Sequence, residues 1–268
     1  MSDRSVLIRN PLALLFLALL FIPLERVWTL RKAKVLREGW KTDVLHFFAT
    51  HVLQQLALVL GIGLVVGVLD PLVSKGLQEA VASQPRAVQF VEALLLVELI
   101  GYWMHRAFHV VPAMWRIHAV HHSSEHLDWL AALRVHPLDQ TITRTVQFMP
   151  LYLLGFSAET FGGLTLVLGL WAIFLHANVR LRFGPLEHLL ATPHFHHWHH
   201  AGDAQVNFSG LFPWVDRLFG TRAKRVEWPG AYGCDAPVPP SWWKQITWPF
   251  ARARSVPEAA AAPTSAPR

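Results

Sequence analysis

The sequence predicts an all-α integral membrane protein with about four transmembrane helices and a cytoplasmic helical cap holding a histidine-ligated pair of metals. Three observations carry this. The 268 residues are 53% hydrophobic and only 16% charged, where a soluble domain carries about a quarter charged residues. The apolar residues fall in runs long enough to cross a bilayer, which takes about 20 residues of helix. Sixteen histidines are present, and fourteen of them lie between His105 and His200.

The first run, residues 10–30, reads as an anchor helix shortened by Pro23, Glu25 and Arg26. Its late charges and the lack of a small-residue cleavage site argue against a removed signal peptide. A second run covers 43–70, and a third, 87–109, leads directly into histidines. The fourth, 145–178, is interrupted by Pro150, Gly155 and Gly162–Gly163. It fits either a hairpin of two short helices or one span with an interfacial segment. The segment from Glu25 to Lys41 holds six basic residues, which points it to the cytoplasm; the loop near 70–86 holds only Lys75 and Arg86. The third helix then returns its histidines to the cytoplasmic side, where 105–141 and 179–254 form the cap. The tail "EAAAAPTSAPR" reads as disordered. The net charge of +6 follows the flanks of the apolar runs, and no basic helix or RNA-binding signature supports nucleic-acid binding. With one cysteine, Cys234, the chain can form no internal disulfide, CxxC zinc site or four-cysteine cluster.

The histidines have a pattern. "HRAFH" sets His105 and His109 at i and i+4. "HAVHH" sets His118, His121 and His122 at i, i+3 and i+4, and "HHWHH" repeats that spacing in His196, His199 and His200. On a helix these positions share a face, so each triplet is expected to aim three rings at one point. Clustered imidazoles resist burial in the charged form, and a metal relieves the conflict by binding neutral ring nitrogens. Imidazole suits zinc, copper, iron and nickel, and eight ligands exceed one ion, so two metals are implied. His136 in "RVHP" and His176 in "FLHAN" are added to the set. Glu98 shares a stripe with Tyr102, His105 and His109. An acid inside a membrane helix is usually functional, so Glu98 is expected to support a histidine ligand from behind.

Taken together, "ELIGYWMHRAFH", "HAVHHSSEHLDWLAALRVHP", "FLHANV" and "TPHFHHWHH" with "NFSGLFPWVDRLFGT" resemble the fatty acid hydroxylase superfamily in its sterol desaturase branch, over roughly residues 90–222. The resemblance implies a catalytic domain over 90–225, after N-terminal membrane helices in 1–89 and before a C-terminal cytoplasmic segment, 226–268. It implies a membrane di-iron oxygenase that hydroxylates or desaturates a lipid, whether sterol, fatty acyl or related, with zinc as a substitute metal. It implies the ligands His105, His109, His118, His121, His122, His196, His199 and His200, with His136 and His176 in or beside the site. Ala172 stands where some members carry one more histidine. No residue is expected to act as a covalent nucleophile.

Electrons are expected from a separate ferredoxin, cytochrome b5-like protein or reductase, because the sequence shows no dinucleotide fingerprint, cysteine cluster or "HPGG" segment. Arg217, Arg222, Lys224 and Arg225 could dock such a donor or hold lipid headgroups. Trp103, Trp115, Trp129, Trp171 and Trp198 fit either a substrate cleft or an interfacial belt. His194 and His197 are expected off the ligand face, turned to the surface or towards phosphate, and His46, His51 and His188 are expected as interface or structural residues. The expected location is the bacterial inner membrane with the metals on the cytoplasmic side. Two rivals use the same histidines. A zinc hydrolase would draw on "HSSEH", with Glu125 as base and His122 and His126 as ligands. A metal transporter would want ligands near the bilayer midplane.

Overall fold

The computed structural model describes the chain at residues 3–202 and 204–251. The expected disordered tail lies outside the described residues. Among those residues the regular structure is helical, with two isolated β-bridges and no strand. Helices α1 (Asp3–Val27), α2 (Trp40–Leu69), α4 (Arg86–Val110), α6 (Pro137–Leu153) and α7 (Ala158–His176) are long. Helices α3 (Lys75–Ala82), α5 (Pro112–His122), α8 (Pro193–His199), α9 (Pro213–Leu218) and α10 (Trp242–Thr247) are short. Among the described residues three segments are long and apolar enough to cross a membrane: Arg9–Val27, Arg86–Val110 and Ala158–His176. Helix α2 covers the second expected run.

Large apolar side chains on these helices face outward, among them Leu15, Phe16 and Leu19 on α1, Leu95 on α4 and Leu166 on α7. In water that exposure would be costly. Against hydrocarbon it costs nothing, because lipid tails are as apolar as leucine. The inward faces form two main clusters. Leu17, Phe21, Phe47, Trp129 and Ile173 join α1, α2 and α7, and Ala93, Val97, Phe148, Leu151 and Leu164 join α4, α6 and α7.

The stretch 145–178 resolves into the helical hairpin α6–α7, broken at one place only. Gly155 has φ +83°, and a Cβ there would stand 2.9 Å from the Gln78 carbonyl oxygen, so glycine alone suits the turn. Pro150 lies within α6, and Gly162 and Gly163 lie within α7. A Cβ at Gly163 would stand 3.1 Å from the Phe90 ring, so that glycine permits close packing of α4 on α7 rather than a bend.

A buried ionic network ties the cap to the membrane helices. Arg37 is bidentate to Asp128 at 2.9 and 2.7 Å, and Asp43 at the start of α2 receives Arg37 at 2.7 Å and Arg134 at 2.5 Å. Removing one member would strand a buried charge, which costs about 3–5 kcal/mol. The network therefore fixes the 123–135 segment that follows α5.

Candidate metal centre

Four helix ends converge under the cap. The last two turns of α4 carry His105 and His109, the last two of α5 carry His118, His121 and His122, and α8 with its C-cap carries His196, His199 and His200. His176 closes α7. Helix α8 is only seven residues long and depends on tertiary support. Thr192 caps it by accepting from the Phe195 N–H, Pro193 presets its first turn, and the Asn207 amide donates to the Phe195 carbonyl at 2.8 Å.

The rings sort into two groups, each with ligand atoms within 4.8 Å of one another. One holds His105, His109, His118, His122 and His199. The other holds His121, His176, His196 and His200. Neither HxxHH triplet aims at a single point, contrary to expectation. In α5 the i and i+4 rings, His118 and His122, enter the first group and His121 enters the second. In α8 the i and i+4 rings, His196 and His200, enter the second group and His199 enters the first. At 100° per residue, i and i+4 diverge by 40°, whereas i+3 points 60° to 100° away from them. Each triplet therefore straddles both groups. His122 and His200 stack across the boundary with centroids 4.3 Å apart.

Hydrogen bonds fix the rings from behind. Nδ1–H donates to the Phe208 carbonyl from His105 at 2.7 Å, to the Arg134 carbonyl from His121 at 3.0 Å, to the Ala172 carbonyl from His176 at 2.7 Å, and to the Val206 carbonyl from His199 at 2.8 Å. His118 Nδ1 lies 2.6 Å from the Asp139 carboxylate. Since a carbonyl only accepts, these Nδ1 atoms carry the proton and each neutral Nε2 presents a lone pair inward. Burial holds His118, His121, His122, His196, His199 and His200 well below the usual imidazole range, so they stay neutral at pH 7. Asp139 is pushed up to about 6, chiefly by burial.

The consequence is electrostatic. His121 Nε2 and His176 Nε2 are 3.0 Å apart, and both are lone-pair atoms with no proton between them. His176 and His196 approach to 3.2 Å, and His196 and His200 to 3.1 Å. In the first group His118 Nε2 and His199 Nε2, and both nitrogens of His109 and His122, are buried without a partner. Buried polar atoms are normally satisfied. Converging lone pairs are relieved by a cation between them, so both groups fit a metal that takes nitrogen ligands.

His136 is not brought to either group. It is the N-cap of α6, its Nδ1 accepting from the Leu138 N–H and its Nε2 lying 3.1 Å from the Ile246 carbonyl. With both nitrogens engaged elsewhere it cannot join the ligands, and the expectation is corrected. What His136 does is start the helix that presents Asp139, a residue the sequence reading missed because the adjacent "HP" drew attention to the histidine. Glu98 also acts further back than expected. It touches no ring. Its Oε1 accepts from the Leu211 and Phe212 N–H groups, both at 2.9 Å, and Asp216 accepts from Phe208 and Ser209 at 2.8 Å. The two acids hold the turn whose Phe208 carbonyl anchors His105.

Other expectations divide. His194 and His197 stand outside the groups, as expected, but both are buried rather than at the surface. His46 is buried against Gln245 at 2.7 Å. Glu125 and His126 are exposed and belong to neither group, which leaves the zinc-hydrolase reading without its base and second ligand. Of the tryptophans, Trp115 packs on the rings of His109 and His122, with centroids 5.0 and 5.5 Å away. Trp129 lies in the α1–α2–α7 core.

Comparison with known proteins gives a consistent set. Residues 90–221 match the family model of fatty acid hydroxylases. The chain is 30% identical over 223 residues to an ornithine lipid hydroxylase of Rhizobium tropici, covering 81% of this chain and 66% of that protein. It is 35% identical over 133 residues to human alkylglycerol monooxygenase, covering 48% of this chain and 29% of the other. It is 29% identical over 140 residues to a very-long-chain aldehyde decarbonylase of Oryza sativa subsp. indica, covering 48% and 22%. The chain thus spans about two thirds of the first relative's length and under a third of the other two. No solved structure matches it.

Proposed function

The chain belongs to the fatty acid hydroxylase superfamily, and from that premise we propose that it is a membrane-bound oxygenase that hydroxylates or desaturates a C–H bond of a lipid. The observation that carries this is the pair of all-histidine groups with their lone pairs converging. Two irons, one in each group, supply the power to activate dioxygen against an unactivated C–H bond; zinc is the expected substitute, since imidazole binds both. The first site draws on His105, His109, His118, His122 and His199, and the second on His121, His176, His196 and His200.

The chain's own contribution is positioning and exclusion of water. Carbonyl and carboxylate acceptors lock each anchored ring so that Nε2 points inward, which also makes the ring a stronger donor to metal. Trp115 covers His109 and His122 with an apolar face. We place the catalytic unit at 90–225, with helices from 1–89 as membrane scaffold and 226–268 as a C-terminal segment. The basic segment 26–41 supports a cytoplasmic site, in a bacterial inner membrane. Electrons come from a separate ferredoxin, cytochrome b5-like protein or reductase, for which the basic face at Arg217, Arg222, Lys224 and Arg225 offers charge complementarity.

The test is anaerobic loading of detergent-purified protein with ferrous iron, followed by Mössbauer spectroscopy and lipid-dependent oxygen uptake. The expected result is about two coupled irons per chain, one for each ligand group. A single tight zinc with no iron uptake would overturn the reading.

A further inference from the structure

The turn Gly184–His188 and helix α9 pack on each other near the cap-side ends of α4 and α7. Phe183, just before the turn, meets Phe174 of α7 with ring centroids 6.2 Å apart, and Phe219, just after α9, meets Trp103 of α4 at 4.8 Å. The outward face of this pair is apolar. Trp214 and Leu218, at i and i+4 on α9, are exposed, as are Phe183, Leu186 and Leu189 at the turn. The surface continues the outward faces of the two spans, where Leu95 and Trp103 of α4 and Leu166 of α7 are exposed. The inward face of α9 is different: Val215 and Asp216 are buried. Tryptophan among leucines and arginines at the end of a membrane span is the composition of the headgroup level of a bilayer.

Two guanidiniums converge on that surface. Arg217 is exposed on the same face of α9, three residues after Trp214. Its Nη2 lies 3.2 Å from His188 Nδ1, and Arg222 Nη2 lies 3.3 Å from the same atom. One imidazole nitrogen has one lone pair, so it serves only one of the two. Arg222 Nη2 also donates to the Glu187 carbonyl at 3.0 Å, and Arg222 Nη1 is buried without a partner. The charges that act on Arg222 are those of Arg217, Asp216 and Glu187. Both acids are committed elsewhere. Glu187 is bidentate to Arg182 at 2.8 and 2.9 Å and accepts from the Phe183 N–H at 2.9 Å. Asp216 accepts from the Phe208 and Ser209 N–H groups at 2.8 Å and from the Thr221 hydroxyl at 2.7 Å. Three guanidiniums thus face two carboxylates, and among the described residues neither Arg217 nor Arg222 makes an ion pair. Neighbouring like charges away from bulk water are relieved by an anion between them. Arg225 of the same basic face lies apart, over the Trp198 ring at 5.1 Å.

We propose that Arg217, Arg222 and His188 bind the phosphate of a bilayer phospholipid whose chains lie over the apolar face of α9 and the turn before it. A guanidinium matches a phosphate in charge and in the spacing of its paired N–H donors. The bound lipid ties the cap to the membrane through α9, whose buried Asp216 braces the turn that carries the Phe208 carbonyl. The inference goes beyond the oxygenase reading and does not depend on it, because the lipid here is a membrane component and not the substrate.

The experiment is native mass spectrometry of the full-length, detergent-purified chain, titrated with dioleoylphosphatidylglycerol, with the neutral dioleoylglycerol of the same chains, or with inorganic phosphate. The phospholipid should bind saturably, with the neutral lipid and phosphate each at least about tenfold weaker. Arg217→Gln changes an exposed side chain and should weaken phospholipid binding roughly fivefold, and Arg217→Gln/Arg222→Gln about 25-fold. Lys32→Gln/Lys34→Gln removes two exposed charges at another place and should leave the binding unchanged. Because Arg222 also holds the Glu187 carbonyl, the single Arg217 variant carries the test if the double variant melts early. Neutral lipid binding as tightly as phospholipid would reduce the site to an apolar surface, and phosphate binding as tightly would make it a free-anion site; either overturns the proposal. Arginine variants that bind like wild type would return both arginines to the donor-docking face, and an equal loss in the lysine variant would show bulk charge attraction without a site.

Discussion

Replacing Asp139 should weaken one metal site and spare the other, in a graded way. Its carboxylate is 2.6 Å from His118 Nδ1 in a buried setting, and His118 belongs to the five-histidine group only. Asp139→Asn keeps an oxygen acceptor but removes the charge. A hydrogen bond to a charged partner contributes about 1.5–3 kcal/mol and a neutral one about 0.5–1.5, so the loss is about 1–1.5 kcal/mol, or roughly 5- to 13-fold in affinity. Asp139→Ala removes the acceptor and strands the buried Nδ1–H. That loss is about 2–3 kcal/mol, or roughly 30- to 150-fold, close to the usual 10- to 100-fold effect of such supporting partners. The assay is chelator competition with zinc as the probe metal, fitted to two sites. Wild-type affinity in both variants, or equal weakening of both sites, would refute the argument that Asp139 acts through His118.

The same geometry makes further predictions. His199→Ala and His121→Ala should each retain about one metal per chain, lost from different groups, and His46→Ala should keep both. Identical metal content in all three, read by elemental analysis, would sink the assignment. His136→Ala should keep both metals but lower stability by about 1 kcal/mol through loss of the α6 cap; a thermal melt with unchanged midpoint, or loss of a metal, would contradict its capping role. Metal-free protein should be acid-sensitive. Burial lowers the pKa of the site histidines, so the unfolded chain takes up protons below about pH 6.5 that the folded chain refuses. Stability then falls as pH drops from 6.5, by up to about 1.4 kcal/mol per unit for each such histidine. Equal melting temperatures at pH 7.5 and 5.5 would contradict this.

The sequence by itself determined the membrane-helical class, through uninterrupted apolar runs, and the histidine positions, through spacing that survives any detail of packing. The count of rings also exceeds what one ion accepts, which is the ground for expecting two metals. Tertiary structure decided how the rings are shared, since i+3 diverges from i and i+4 and only the approach of α5 to α8 lets each triplet serve both groups. It decided that His136 is a cap and that Asp139, three residues on, holds the His118 ring. "RVHPLDQ" contains both, and nothing local says which side chain turns inward. Glu98 and Asp216, 118 residues apart in sequence numbering (216 minus 98), meet at one turn, a long-range pairing invisible to local periodicity. Spacing along a helix is fixed by covalent geometry, whereas the partner of a side chain is fixed by what packs against it.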